Sequence, residues 1–471
     1  MERLIKAGKV KAKMSKDVEK SIIGLGFEKL DRDVFNPEKS YKFVANSGVK
    51  WARLQSGWQR TEREKGVYDF SWLDSIVDNL IAVGTEPWLC LCYGNDLYTQ
   101  RAKTVFGAVG CPPIYTEEEK LAWKNYVTAA VKHYKGRIRF YEVWNEPDGE
   151  WCWKHGPNPT ELGVFIGETA RAVKAADSDA KVIGLATCMD NESFLEGVAK
   201  TGCLEELDAI SYHAYHVEEK GYENTYRIYK EFRDRHKPEL KIIQGESGTQ
   251  SRSDGCGALR GGAWTPLKQA KYLLRHLLCD IANDVMLTSY FSCMDMIEAL
   301  NGEVGNVASY LDYGYFGVIG ADFDENGKST GEYSPKMSYT ALQNLCSIFC
   351  NDYETNADLP LESDISYALR IYGDDFDFDK TKHIYFKKPN GSAAAAYWIP
   401  KNILTETTDT TVSVKFKKGS MNEDIHLVDL LDGNIYSLPS DMTECDGDYI
   451  ILKHIPASDS PLLLTFGDFC G

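Results

Sequence analysis

The chain has 471 residues, with 53 Lys and Arg against 70 Asp and Glu, a formal net charge of −17. That acidity excludes nucleic acid and an anionic membrane surface as partners, since both demand a basic face. Hydrophobic residues make up 43%, charged 26% and aromatic 12%. This composition is globular, and the length suits a barrel of roughly 300 residues plus one smaller domain.

The N-terminal stretch Met-Glu-Arg-Leu-Ile-Lys-Ala-Gly-Lys-Val has basic residues but no apolar core and no small-residue cleavage site. It reads as lacking a secretory signal, so a cytoplasmic location is expected. No apolar run is long enough to span a membrane. Residues 1–20 are expected to be an extension that packs on the C-terminal part of the chain. The 13 cysteines are scattered, several in apolar contexts, without a Cys-x-x-Cys pair. They read as reduced, buried thiols and not as a disulfide framework or a metal site.

Apolar runs then alternate with helical patterns. Strands are predicted over 22–28, 49–56, 87–93, 138–144, 181–187, 209–214, 241–245 and 285–291. Most are near-continuous hydrophobic runs, as in strands buried on both faces. Thr116 and Glu119 form a capping box ahead of Trp123, Tyr126, Val127, Ala130, Val131 and Tyr134 at helical spacing, with Gly136 as a stop. Ala270, Leu273, Leu274, Leu277, Leu278 and Ile281 make an apolar stripe for packing on a sheet. Eight strands with intervening helices predict a (β/α)8 TIM barrel over residues 21–352. A doubly wound open sheet is the alternative, but no Gly-rich phosphate fingerprint follows the first strand.

Beyond residue 353 strands and turns take over. They are predicted over 365–372, 383–387 and 394–399 (a hairpin through Pro389-Asn390-Gly391), then 412–416, 425–430, 435–438, 449–453 and 462–466. Residues 353–471 are therefore expected to form an all-β, sandwich-like domain.

Barrel chemistry sits at the C-terminal strand ends. The fourth strand ends in Trp144-Asn145-Glu146-Pro147 and the seventh in Gly245-Glu246-Ser247. Two carboxylates on opposite sides of the mouth can flank a substrate, which is what glycosidic cleavage needs: one protonated acid and one ionised partner. The plainer alternative is a turn at Asn-Glu-Pro and a surface loop at Glu246. Trp58, Trp151 and Trp153 lie in loops after the second and fourth strands, where they are candidate sugar platforms or packing residues. Glu142 is expected to face the same way as Trp144.

These motifs resemble the clan A retaining glycoside hydrolases. Gly48 to Leu54, Gly57-Trp58-Gln59-Arg60, Glu64 to Phe70, Leu73-Asp74, Tyr212-His213-Ala214-Tyr215 and Ser334-Pro335-Lys336 are similar to glycoside hydrolase family 39, whose best-known members are β-xylosidases. The resemblance covers most of residues 20–350. It implies Glu146 as general acid/base with a raised pKa, Glu246 as nucleophile, and Asn145 on the sugar 2-hydroxyl. It also implies Arg53 holding the nucleophile's charge, and His213 and Tyr215 contacting sugar hydroxyls and the nucleophile. The alternatives are a rim ion pair for Arg53 and satisfied core side chains for His213 and Tyr215. Phe291 stands where many clan A enzymes have a Trp, and Ser247 where the family often has an aromatic. Both departures bear on the sugar.

The implied function is an exo-acting retaining β-glycosidase, β-xylosidase-like, on a short oligosaccharide or glycoside substrate. It needs no metal and no cofactor, and assembly into a homo-oligomer is left open. The competing readings are an endo-β-glycanase similar to family 5 and a non-catalytic sugar-binding barrel.

Overall fold

The computed structural model describes residues 3–297, 313–323, 329–363, 382–405 and 410–471. Eight parallel strands close into a barrel: β1 (Ile23–Phe27), β2 (Trp51–Gln55), β3 (Glu86–Leu91), β4 (Phe140–Val143), β5 (Lys181–Thr187), β6 (Ala209–His213), β7 (Lys241–Ser247) and β8 (Val285–Tyr290). The barrel closes where Ile23 pairs with Thr288 and Leu25 with Tyr290. All eight coincide with runs expected from hydrophobicity, because a strand buried on both faces has no polar alternation to hide it.

Helices cover the outside. Thr116 caps the helix Glu117–Tyr134 and shares a reciprocal capping box with Glu119. The helix Pro266–Ala282 buries its apolar stripe as the periodicity predicted. None of the thirteen cysteines forms a disulfide. No helix among the described residues is long and apolar enough to cross a membrane.

Two larger antiparallel sheets are built mainly from residues after the barrel. The larger runs Ile5–Lys9, Asn434–Ser437, Ile425–Asp429, Leu462–Phe466, Ala393–Trp398, Lys382–Lys387 and Glu354–Thr355. The smaller contains Leu361–Ser363, Thr410–Lys417, Tyr449–Ala457 and Thr443–Asp446. Alternation along the strands decides what each face meets. Leu462, Leu464 and Phe466 pack with Val412, Phe416 and Leu452 of the smaller sheet. Leu463, Ala394, Ala396 and Trp398 instead join the barrel's own core. The larger sheet is thus sandwiched between the smaller sheet and the barrel. Its outer edge is the N-terminal segment, with Ile5 opposite Ser437 and Lys9 opposite Asn434. The strand expected over 365–372 lies outside the described residues.

Candidate active site

Glu146 reaches the barrel mouth through an irregular strand end. Trp144 and Glu146 both take left-handed backbone, with φ of 66° and 46°. Such conformations cost non-glycine residues of order 1–3 kcal/mol and persist only where surroundings impose them. Here the neighbouring strands do so: the Trp144 amide donates to the Leu91 carbonyl at 3.1 Å and the Glu146 amide to Ala186 at 2.9 Å. The kink breaks strand parity. Glu142 points into the barrel, where it meets Arg53 and Ser211. Trp144 turns outward against Trp123 and Phe165 of the covering helices. The expectation that these two side chains face the same way is therefore corrected.

Glu246 follows Gly245 in β7. A Cβ at Gly245 would lie 3.0 Å from His213 Nε2 and 3.2 Å from Glu142 Oε1, so a larger residue there would push on both side chains. Arg53, from β2, ties the group together. Its Nε donates to Glu142 Oε2 (2.7 Å), Nη1 to Glu246 Oε2 (3.0 Å) and to Glu28 Oε1 (3.3 Å), and Nη2 to Asn145 Oδ1 (2.9 Å). The Tyr215 hydroxyl donates to the other oxygen of Glu246 at 2.5 Å. Glu146 is held by His213 Nδ1 at 3.0 Å on Oε1 and by the Trp151 indole N–H at 2.5 Å on Oε2. Atoms of Glu146, His213 and Glu246 all lie within 4.8 Å of one another. The Glu146 and Glu246 side chains are each 11% exposed, whereas Arg53 and His213 are at 0%. The two glutamates can thus be reached from outside, while the arginine and the imidazole that hold them cannot.

The electrostatics follow from crowding acids around one arginine. Burial pushes Glu28 up to about 8 against the pull of Arg53, and its Oε2 has no hydrogen-bond partner. Burial also opposes the charge on Glu142, but Arg53, His213 and the Ser211 hydroxyl outweigh it and hold this carboxyl below its ordinary range. Burial would raise Glu146 too. The His213 bond and charge, with Trp151 and Arg53, overcome it and leave Glu146 lowered. This reverses the raised value expected from sequence. The proton moves toward the imidazole: burial disfavours charge on His213, but Glu246 and Glu146 raise it above its usual value.

A cavity of about 540 Å³ opens over the two glutamates, lined among others by Lys29, Gln55, Tyr93, Asn145, Trp151 and Tyr215. That size suits a small-molecule ligand. A larger groove, of about 820 Å³, runs outside the barrel between the helices Glu117–Tyr134 and Pro159–Ala176, away from the carboxylates.

Of the residues singled out from sequence, Glu146, Glu246, Asn145, Tyr215, Trp151 and Phe291 line the cavity. Four do not. Arg53 and His213 lie fully enclosed and touch the acids, not the space a sugar would fill. Trp58 is buried against Tyr98, Trp123 and Tyr126, with its indole N–H on Glu62 at 2.5 Å. Trp153 is equally buried, against Trp144 and Phe165. Neither indole is a sugar platform. Lys29, Gln55 and Tyr93 were missed, although each lies just past or at the end of β1, β2 or β3, where the strand-end rule would have found them. Lys29 places its ammonium 5.2 Å over the Phe291 ring.

Residues 34–244 match the model of the family described as glycosyl hydrolases family 39. That segment contains Arg53, Asn145, Glu146 and His213 and stops two residues before Glu246. The chain is 28% identical over 193 residues to a beta-xylosidase of Geobacillus stearothermophilus, covering 38% of this chain and 37% of that protein. It is 30% identical over 188 residues to a beta-xylosidase of Caldicellulosiruptor saccharolyticus, covering 36% and 37%. The match thus spans little more than a third of these curated relatives. Among solved structures, a family 39 glycoside hydrolase from Bacteroides cellulosilyticus WH2 superposes with a TM-score of 0.64 at 17% identity, covering 94% of this chain and 80% of that one. A GH39 beta-xylosidase from Caulobacter crescentus gives 0.59 at 17%, covering 97% and 98%. At that identity the likeness establishes the fold. The resemblance to family 39 drawn from residues 48–74, 212–215 and 334–336 is borne out, and so is the barrel with its added β-sheets.

Proposed function

We propose that this protein is a retaining, exo-acting β-glycosidase, β-xylosidase-like, that cleaves short oligosaccharides or glycosides by double displacement. The observation that carries the reading is the spacing of Glu146 and Glu246, with nearest atoms within 4.8 Å. Retention needs carboxyl groups about 5–5.5 Å apart, whereas inversion needs about 6.5–9.5 Å to admit a water between them.

In this reading Glu246 attacks the anomeric carbon, and Glu146 gives its proton to the departing oxygen. Arg53 and Tyr215 each occupy one oxygen of Glu246 and so aim the carboxylate. His213 and Trp151 do the same for Glu146. Glu146 must hold the proton when the bond breaks. A sugar filling the cavity strips water from its carboxyl, which favours the neutral form and draws the proton shared with His213 onto it. Water then enters, Glu146 takes its proton, and the hydroxide displaces Glu246 to release the sugar with its original configuration. Asn145 anchors its amide oxygen on Arg53 and lines the cavity, which supports a contact with the sugar 2-hydroxyl. The compact cavity supports exo action on short substrates.

The test is a panel of p-nitrophenyl glycosides: β-xyloside, β-glucoside, β-galactoside, β-glucuronide and both arabinosides, with Glu246→Ala alongside. One strong hit, lost in the variant and restored by azide with an inverted product, is the expected result. Activity that survives Glu246→Ala would overturn the reading. Activity confined to long polysaccharides would replace it with endo action.

A further inference from the structure

A general acid must touch the oxygen that leaves. Whatever that oxygen carries therefore lies against the wall on the Glu146 side of the cavity. Trp151, Cys188 and Met189 form that wall. Asp148, two residues past Glu146, fastens it: its carboxylate accepts from the backbone N–H of Cys188 (3.0 Å) and of Met189 (2.7 Å), and from the Cys188 thiol (3.4 Å). The Trp151 indole N–H is already spent on Glu146. The polar groups of these three residues are thus spent inside the wall, the neighbouring Tyr93 hydroxyl is taken up by Gln55 and Cys152, and an indole and a thioether are left to face the cavity.

Met189 is 43% exposed, one of the larger apolar side chains left open to solvent. It is pinned there by its backbone and not merely tolerated on a mobile tip. A second sugar on this side would need partners for its hydroxyls, because desolvating them unpaired is costly. Lys29 and Gln55 follow or end β1 and β2, across the mouth from β4 and β5. Arg260 lies in the exposed loop after β7. A flexible, polarisable thioether beside an indole instead suits alkyl chains and aromatic rings.

We propose that the leaving-group side of this site takes an apolar aglycone, aryl or alkyl, in preference to a second sugar, with Met189 as the specificity-determining residue. The inference rests on the assignment of Glu146 as acid. The chemistry is unchanged: water cleaves the bond, the sugar keeps the new hydroxyl, and the aglycone departs as its alcohol with the proton from Glu146.

The experiment uses the sugar selected by the p-nitrophenyl panel, presented as methyl, n-hexyl and benzyl glycosides and as a disaccharide. The three alcohols are of similar acidity, so differences report binding. From methyl to n-hexyl, kcat/KM should rise at least about tenfold, mainly through KM, as expected for burying several methylenes. The disaccharide should show the higher KM. Met189→Ser should shrink the hexyl-to-methyl ratio to within about twofold, and Met189→Leu should restore most of it. A flat series in the unaltered protein, or a ratio untouched by Met189→Ser, would overturn the proposal while leaving the glycosidase reading intact. If every glycoside stays uncleaved and the hexyl glycoside gives no heat of binding, both readings fall together.

Discussion

Arg53 and Arg275 are both buried among carboxylates, and they are arranged in opposite ways. Arg275, on the helix Pro266–Ala282, meets one acid: its Nε and Nη2 each donate at 2.5 Å to a different oxygen of Glu219. The Trp398 indole N–H donates to the same carboxylate at 2.8 Å, and Arg275 Nη2 also reaches the Lys401 carbonyl at 2.8 Å. One charge balances one charge, at the junction of barrel and sheet. Arg53 instead serves Glu28, Glu142 and Glu246 at once. The shortage of positive charge is met by protons, one kept on Glu28 and one drawn toward His213. A balanced pair fastens two parts of a fold. An unbalanced cluster leaves groups whose protonation responds to what enters, which is a property a catalyst needs.

The comparison can be broken by variants on either side. Glu246→Gln should lower kcat by roughly 10⁴-fold or more while the protein stays folded, since a nucleophile and its acid act as a unit. A loss under tenfold would remove Glu246 from the chemistry. Arg53→Met should cost both activity and about 3–5 kcal/mol of stability, because it strands buried carboxylates. Arg275→Met should cost a similar amount of stability, read by urea unfolding, yet leave kcat of the folded protein within about twofold. A selective fall in kcat there would erase the distinction between the clusters.

His213→Asn sharpens the account of protons. His213 holds Glu146 below its ordinary value, so removing the imidazole should raise the Glu146 pKa. The basic limb of kcat/KM, where the acid loses its proton, should then move to higher pH. A limb that stays put or moves down would dissociate the two residues. The smallest effect is expected of Glu28→Gln. Glu28 titrates higher in the folded protein (about 8) than in the unfolded chain, so its contribution is present at low pH and is lost as pH rises through 8. The variant should melt like the unaltered protein at pH 5 and a few degrees higher at pH 9. Equal melting at both would mean that Glu28 carries no such burden.

The barrel was legible because most of its strands are near-continuous apolar runs, and the two glutamates because each stands where such a run ends. What escaped was set by tertiary contacts. Trp58 and Trp153 lie close in sequence to the strand ends, yet Tyr98, Trp123 and Tyr126 enclose the first, and Trp144 and Phe165 the second. Nothing in the local sequence marks an indole as covered. The orientation of Glu142 escaped because alternation assumes extended backbone, and Trp144 departs from it. The lowered Glu146 was hidden for a third reason: His213 comes from β6, 67 positions further along the chain.

The edge strand Ile5–Lys9 has a consequence for synthesis. It leaves the ribosome about 425 residues ahead of its partner Asn434–Ser437, counted from Lys9 to Asn434. At about 5–20 residues per second the gap lasts on the order of 20–90 s. Throughout that time the barrel strands can assemble in order while this segment waits with its backbone unpaired. It is then the natural place for a chaperone to hold the nascent chain or a protease to cut it, and its protection should appear only after Asn434–Ser437 has left the exit tunnel.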